Sequence, residues 1–225
     1  VADRRIGSDP LRGLVKFDAS GDRRRERRAL TAGELAKLII TTAASRARWN
    51  MRGADRALLY RLAAATGLRA GALRVLTPQC LDLAGDPPTV RVASKRKVHR
   101  LPLRADLIAD LRRIVAGKGA TEPIFRMPAR ANVARMFRAD LADAKIPVRD
   151  HAGRKLDFHS LRRTFATDLY HAGVAPVLAQ RLLGHSSVDL TTNIYTDVGL
   201  EEETRAVEAV GSLGASGKGR IRRGV

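Results

Sequence analysis

Asp157-Phe158-His159-Ser160-Leu161-Arg162-Arg163-Thr164-Phe165 sets apolar side chains at 158, 161 and 165 with basic ones between them. Spacings of three and four mark one face of a helix, so Phe158, Leu161 and Phe165 take the buried side. His159 and Arg162 are three apart and share another face. An Arg offers a planar fork that grips two phosphate oxygens, and a His moves a proton near neutral pH. The same pair also fits an ordinary surface helix laced with ion pairs, so on its own it leaves both readings open.

Outward from this segment the pattern stays helical. Periodic stretches at 104–116, 130–143, 159–172, 175–183 and about 200–210 predict helices. Gly184 suits the end of the 175–183 helix. Upstream, Thr31-Ala32-Gly33-Glu34 has the form of a capping box and predicts a helix through about Ala44. A second helix is expected over Ala54–Thr66, interrupted by Gly67, with a short one from Arg69 to Leu73. Gly85-Asp86-Pro87-Pro88 is a turn. Thr89–Ala93 alternates as a strand, Val98–Leu101 is its partner, and Ser94-Lys95-Arg96-Lys97 makes a basic hairpin tip. The fold class is therefore mainly α with a small antiparallel β-sheet.

The 225 residues carry 42 Lys and Arg against 23 Asp and Glu, a net charge of +19. Such an excess points to a polyanionic partner, with nucleic acid first. Hydrophobic residues make up 44% of the chain, enough for a core, while 4% aromatics argues against a stacking platform for single strands. Cys80 stands alone, which excludes an internal disulfide and a cysteine zinc site. No apolar run reaches the ~18 residues of a membrane span. The N-terminus shows no apolar signal core, and the expected setting is cytoplasmic and nucleoid-associated.

Gly67-Leu68-Arg69, His159-x-x-Arg162, Leu183-Gly184-His185 and Tyr195-Thr196 occur in this order. Together they resemble the tyrosine recombinase (phage integrase) family over about residues 29–200, with its catalytic-domain fold. The resemblance implies a site-specific recombinase. In it a tyrosine attacks a DNA phosphodiester, leaving a 3′-phosphotyrosyl bond and a free 5′-hydroxyl, with no metal, ATP or other cofactor. By position Tyr195 is the nucleophile, and Arg69 and Arg162 hold the non-bridging oxygens. His159 assists deprotonation, His185 supports the phosphate or Tyr195, and Lys95 is the general acid with Lys97 as rival. Arg96, Lys97, Arg100 and Arg163 are expected DNA contacts. The partners implied are double-stranded DNA, three further copies in a homo-tetramer and an accessory directionality factor, with no membrane.

Three departures stand out. The family's acidic residue three positions after the first arginine is Ala72 here, the hairpin is one residue shorter, and the His185–Tyr195 gap one longer. Two other readings follow, a non-catalytic DNA-binding relative and a type IB topoisomerase. A general basic RNA-binding protein would not need this constellation. Residues 1–28, with Asp22-Arg23-Arg24-Arg25-Glu26-Arg27-Arg28, are expected to link to a missing N-terminal clamping domain. Residues 29–210 form the catalytic domain and 211–225 a flexible basic tail. Trp49 is expected as a packing anchor, Tyr60 and Tyr170 as core or half-buried, and His99 as merely exposed; His151 and His171 receive no role.

Overall fold

Thr31 opens the first helix as its sequence predicts. Its hydroxyl accepts the Glu34 amide at 3.1 Å, and the Glu34 carboxylate accepts the Thr31 amide at 2.9 Å. This reciprocal cap satisfies two donors that a helix start leaves orphaned. In the computed structural model, which describes Gly13, residues 26–94 and residues 97–184 (side chains of Ser94 and Lys97 excepted), α1 runs Ala32–Ala44. It is followed by α2 Gly53–Thr66, α3 Ala70–Arg74, a 3-10 turn Pro78–Cys80, and the strands β1 Leu81–Asp82, β2 Thr89–Ser94 and β3 Lys97–Pro102. Helices α4 Ala105–Val115, α5 Arg130–Asp143, α6 Ser160–His171 and α7 Pro176–Leu183 complete the described chain. The segments expected at 1–12, 14–25, 200–210 and 211–225 lie outside the described residues, as do Lys95, Arg96, His185 and Tyr195.

α2 is the pillar. It buries residues on all sides, among them Leu58, Leu59, Tyr60, Leu62 and Ala63. Its charged residues Asp55 and Arg61 keep to part-exposed ion pairs, and α1, α4 and α6 pack around the rest. Each such leucine contributes roughly 1.5–3 kcal/mol when removed from water. Beneath α6, Tyr60, Phe137 and Phe158 meet edge to face, with ring centroids 5.3–6.0 Å apart. Phe158 thus anchors the turn that carries the next residue, His159. Trp49 packs against the core, and Tyr170 is half-buried.

The sheet is antiparallel in the order β1-β2-β3. The sequence reading missed β1, two residues too short for any periodic signal. Pairing of β2 with β3 reaches Ser94↔Lys97, so Lys97 belongs to a strand rather than to the hairpin tip. The register also pairs His99 with the buried Val92, and Arg100 with Arg91 on the other face.

Residues 26–28 are docked on the body. Lys155 donates to the Glu26 carbonyl at 3.0 Å and accepts from the Arg28 amide at 3.2 Å. Arg28 grips the Glu34 carboxylate with both terminal nitrogens, at 2.6 and 2.7 Å. That guanidinium holds Glu34 below the usual carboxylate range. Among the described residues no helix is long and apolar enough to cross a membrane.

Candidate functional site

Gly67 ends α2 in the left-handed conformation (φ +65°), its amide bonded to the Ala63 carbonyl. This turn buries Leu68 and brings Arg69 out at the N-cap of α3. A Cβ on Gly67 would lie 2.7 Å from the Phe165 ring and 3.1 Å from the Leu183 side chain, so the residue also lets α6 and α7 close on the turn. α7 ends in the same manner, at Gly184 with φ +60°.

Arg162 ties these pieces together. It is only 6% exposed. One terminal nitrogen donates to the Gly67 carbonyl at 2.6 Å and the other to the Leu183 carbonyl. The three separate motifs of the sequence therefore converge on one guanidinium. Arg donates through five N–H groups, and these two bonds use two of them. Burial, then the charge of Arg69, lowers the Arg162 pKa to about 10, which leaves it protonated at neutral pH.

His159 is the N-cap of α6, and its amide donates to the Asp157 carboxylate at 2.9 Å. The residue is exposed, yet its surroundings lower its pKa. Desolvation leads, followed by the positive fields of Arg27 and Arg162; Asp157 opposes them and Arg69 adds to them. The arginine fields favour the neutral imidazole.

Arg69, His159 and Arg162 line one cleft of about 700 Å³, which reaches Gly184, the residue before His185. Neither Arg69 nor Arg162 has an ion-pair partner among the described residues, and Ala72 on the wall supplies no carboxylate. Guanidiniums beside a histidine whose backbone is held in place suit an oxyanion such as a phosphodiester. Among the described residues no three His, Cys, Asp or Glu side chains converge as a metal site requires.

The cleft also contains residues the sequence reading did not assign. His99 is half-buried, not merely exposed, and its ring lies 3.5 Å from where a Cβ on Gly184 would sit. Strand alternation marks it as sharing a face with Leu101, but not that this face meets α7. Arg130, at the start of α5, lines the far wall. In contrast, Arg100 donates to Asp82 and Thr89 on the opposite sheet face. Arg163 turns into a second cleft with Arg28, His151, Tyr170 and His171, one helical position away from Arg162. The structure brings neither into the site.

Residues 28–202 match the phage integrase family. The tyrosine recombinase XerC of Pelobacter propionicus is 31% identical over 74% of this chain and 54% of its own length. The tyrosine recombinase XerA of Pyrococcus furiosus is 28% identical over 83% and 63% respectively. The chain thus spans only part of the length of these curated relatives. Among solved structures, the Tn1549 transposon integrase with transposon right end DNA overlays 94% of this chain and 74% of its own, with TM-score 0.70 at 18% identity. The catalytic domain of bacteriophage HP1 integrase overlays 81% and 95%, with TM-score 0.59 at 20% identity. The mainly helical body with a small antiparallel sheet has the fold of these proteins. The chain belongs to the phage integrase family.

Proposed function

We propose that this chain is the catalytic part of a site-specific DNA recombinase that works through a phosphotyrosyl intermediate. The observation that carries the reading is the pair of arginines, Arg69 and Arg162, that share one cleft with His159 in a phage integrase chain and have no carboxylate partner among the described residues.

In the proposed reaction the Tyr195 oxygen attacks the scissile phosphorus and the P–O5′ bond breaks. A phenol has a pKa near 10, so it needs a base or strong positive surroundings to act at neutral pH. His159, its pKa lowered, takes the tyrosine proton. Arg69 and the remaining Arg162 donors hold the non-bridging oxygens as charge builds, and His185 supports the phosphate or the tyrosine. Lys95, with Lys97 as rival, protonates the leaving 5′-oxygen. A 5′-hydroxyl of a partner strand then attacks the phosphotyrosine and reverses the exchange. The ester keeps the bond energy, so the scheme draws on neither ATP nor metal.

Duplex DNA is the proposed substrate. The Tn1549 integrase was solved with transposon DNA and the XerH recombinase with a difH substrate, which supports this partner. Arg96 and Lys97 would lie along the backbone; Arg100 and Arg163 would meet duplex only beyond the cleft. A homo-tetramer on two duplexes, a directionality factor and a nucleoid location complete the proposal. Ala72 favours a second reading, a relative that binds without cutting.

Sheared genomic DNA from the source organism, treated with the chain and denatured in detergent, separates these readings. The expected result is DNA held covalently at one sequence. Tyr195→Phe abolishes the adduct and leaves binding that falls steeply with salt. Cleavage by Tyr195→Phe overturns the nucleophile assignment; salt-sensitive binding without any adduct supports the non-cutting relative; relaxation of plasmid without strand exchange supports a topoisomerase.

A further inference from the structure

The turn that carries His159 is held from both sides by one carboxylate. Asp157 accepts the His159 amide on Oδ1 at 2.9 Å and the Arg27 Nε on Oδ2 at 2.6 Å. Its own amide donates to the Ser160 hydroxyl at 3.1 Å, and the Ser160 amide donates back to the Asp157 carbonyl at 2.8 Å. These bonds fix the backbone on both sides of Phe158, and the carboxylate links the turn to a residue 130 positions earlier. Arg27 is itself fixed, through the bridge that residues 26–28 make with Lys155. Nearby, the Leu30 amide donates to the Thr164 hydroxyl at 2.9 Å, joining the same leading segment to α6.

We propose that Arg27 and Asp157 are positioning residues for His159: Asp157 fixes its backbone at the head of α6, and Arg27 fixes Asp157. Neither touches the reacting atoms in this scheme. The consequence is a coupling between the segment that leads into the domain and the imidazole that takes the proton. When residues 26–28 lie on Lys155, the turn is locked; when they lift off, the carboxylate loses its outer partner and the turn loosens. The role as a brace rests on the assignment of His159 as the base, but the brace itself is measurable without any reaction.

The charged groups facing His159 come from three further places: Arg27 on the leading segment, Arg162 on α6 and Arg69 on the α2–α3 turn, with Asp157 on its own turn. Removing one charge at a time therefore has a defined direction. Arg27→Gln takes away a positive field and moves the His159 midpoint up. Asp157→Asn takes away a negative one and moves it down, while its amide oxygen still accepts the His159 amide. Opposite shifts show that both groups act on the imidazole, and the rate loss in Asp157→Ala, which also removes the acceptor of the His159 amide, reads the backbone hold.

The test is a proton NMR titration of the histidine rings in the full 225-residue chain, with His159 assigned through His159→Gln. The expected result is opposite displacement of the His159 midpoint in Arg27→Gln and Asp157→Asn, with Arg27→Lys close to the parent. In parallel, the adduct assay of the parent chain should lose on the order of ten- to a hundredfold in rate with Asp157→Ala, as a misplaced reacting group does. Displacement in the same direction, or none in either variant, overturns the brace. If the parent chain forms no adduct while the titration behaves as expected, the brace stands and the proposed reaction is what fails.

Discussion

Two arginines among the described residues are buried, and they are treated in opposite ways. Arg56 on α2 is 0% exposed and faces Asp140 on α5, also 0% exposed, with Nε–Oδ2 2.9 Å and a second bond of 3.0 Å. Its other donors reach the Met51 and Arg46 carbonyls and the Ser45 hydroxyl. Tyr60 completes the centre by donating to Asp140 at 2.6 Å. Arg162, nearly as buried, has two backbone carbonyls and, among the described residues, the charge of Arg69 in place of a carboxylate. Burying a charge is costly unless it is paired. The first centre is paired by the chain itself and serves the fold. Among the described residues the second is left positive, which suits it to receive an anion.

The comparison breaks most visibly at Asp140. Asp140→Ala would leave Arg56 buried without its counter-ion, and removing one partner of such a pair costs about 3–5 kcal/mol. Urea unfolding should show that loss as a lower midpoint at unchanged slope. Tyr60→Phe, which leaves the ion pair intact and removes one donor, should cost less, about 1–3 kcal/mol. If Asp140→Ala is tolerated as an exposed substitution would be, the centre is not what holds α2 to α5.

Arg69 should behave in the reverse manner. It is exposed and its charge repels that of Arg162, so Arg69→Ala should change stability by no more than about 0.5 kcal/mol. The adduct-forming rate should fall by about 10²–10³, the loss typical of one donor to a transition-state oxyanion. Melting curves and the detergent-resistant adduct assay on one preparation give both numbers. A variant that melts early and still cleaves would reverse the roles assigned to the two centres.

The two regions were also unequally legible in the sequence. The cleft was written locally: Gly67 before Arg69, His159 three residues before Arg162, and Gly184 after Leu183 each carry a turn or helix signal within a few positions. What no local pattern holds is that Arg162 fastens Gly67 to Leu183, 95 and 21 residues away. The Arg56–Asp140 centre left no trace, because its partners lie 84 residues apart and each alone looks like an ordinary charged helix residue. His99 was legible as a strand residue but not as a wall of the cleft, since alternation does not say which face of a hairpin is covered. Arg27 fell within a charge run read as linker, where composition gave no reason to separate it from its neighbours.

The smallest difference between the centres is in their response to pH. Tyr60 is held well above its usual pKa of about 10 by burial and by Asp140, so it stays protonated at any pH where the protein is handled. His159 is held below the usual histidine value of about 6.5. As pH falls past that value the unfolded chain takes up the proton before the folded one does. Its contribution to stability is therefore present above about pH 6.5 and is lost as pH falls toward the lowered folded value. The proposed cleavage needs the neutral imidazole, so its acid limb should also lie below 6.5, displaced from that of an unperturbed histidine. Stability of the parent and of His159→Gln, measured by urea unfolding from pH 8 to pH 5, should converge toward the acid end. A phosphate held by Arg69 and Arg162 would counter the field that lowers the imidazole. Inorganic phosphate should thus move the His159 midpoint upward, and it should leave the closed centre around Asp140 untouched. If it moves neither, the positive charge of the cleft is not directed at an anion.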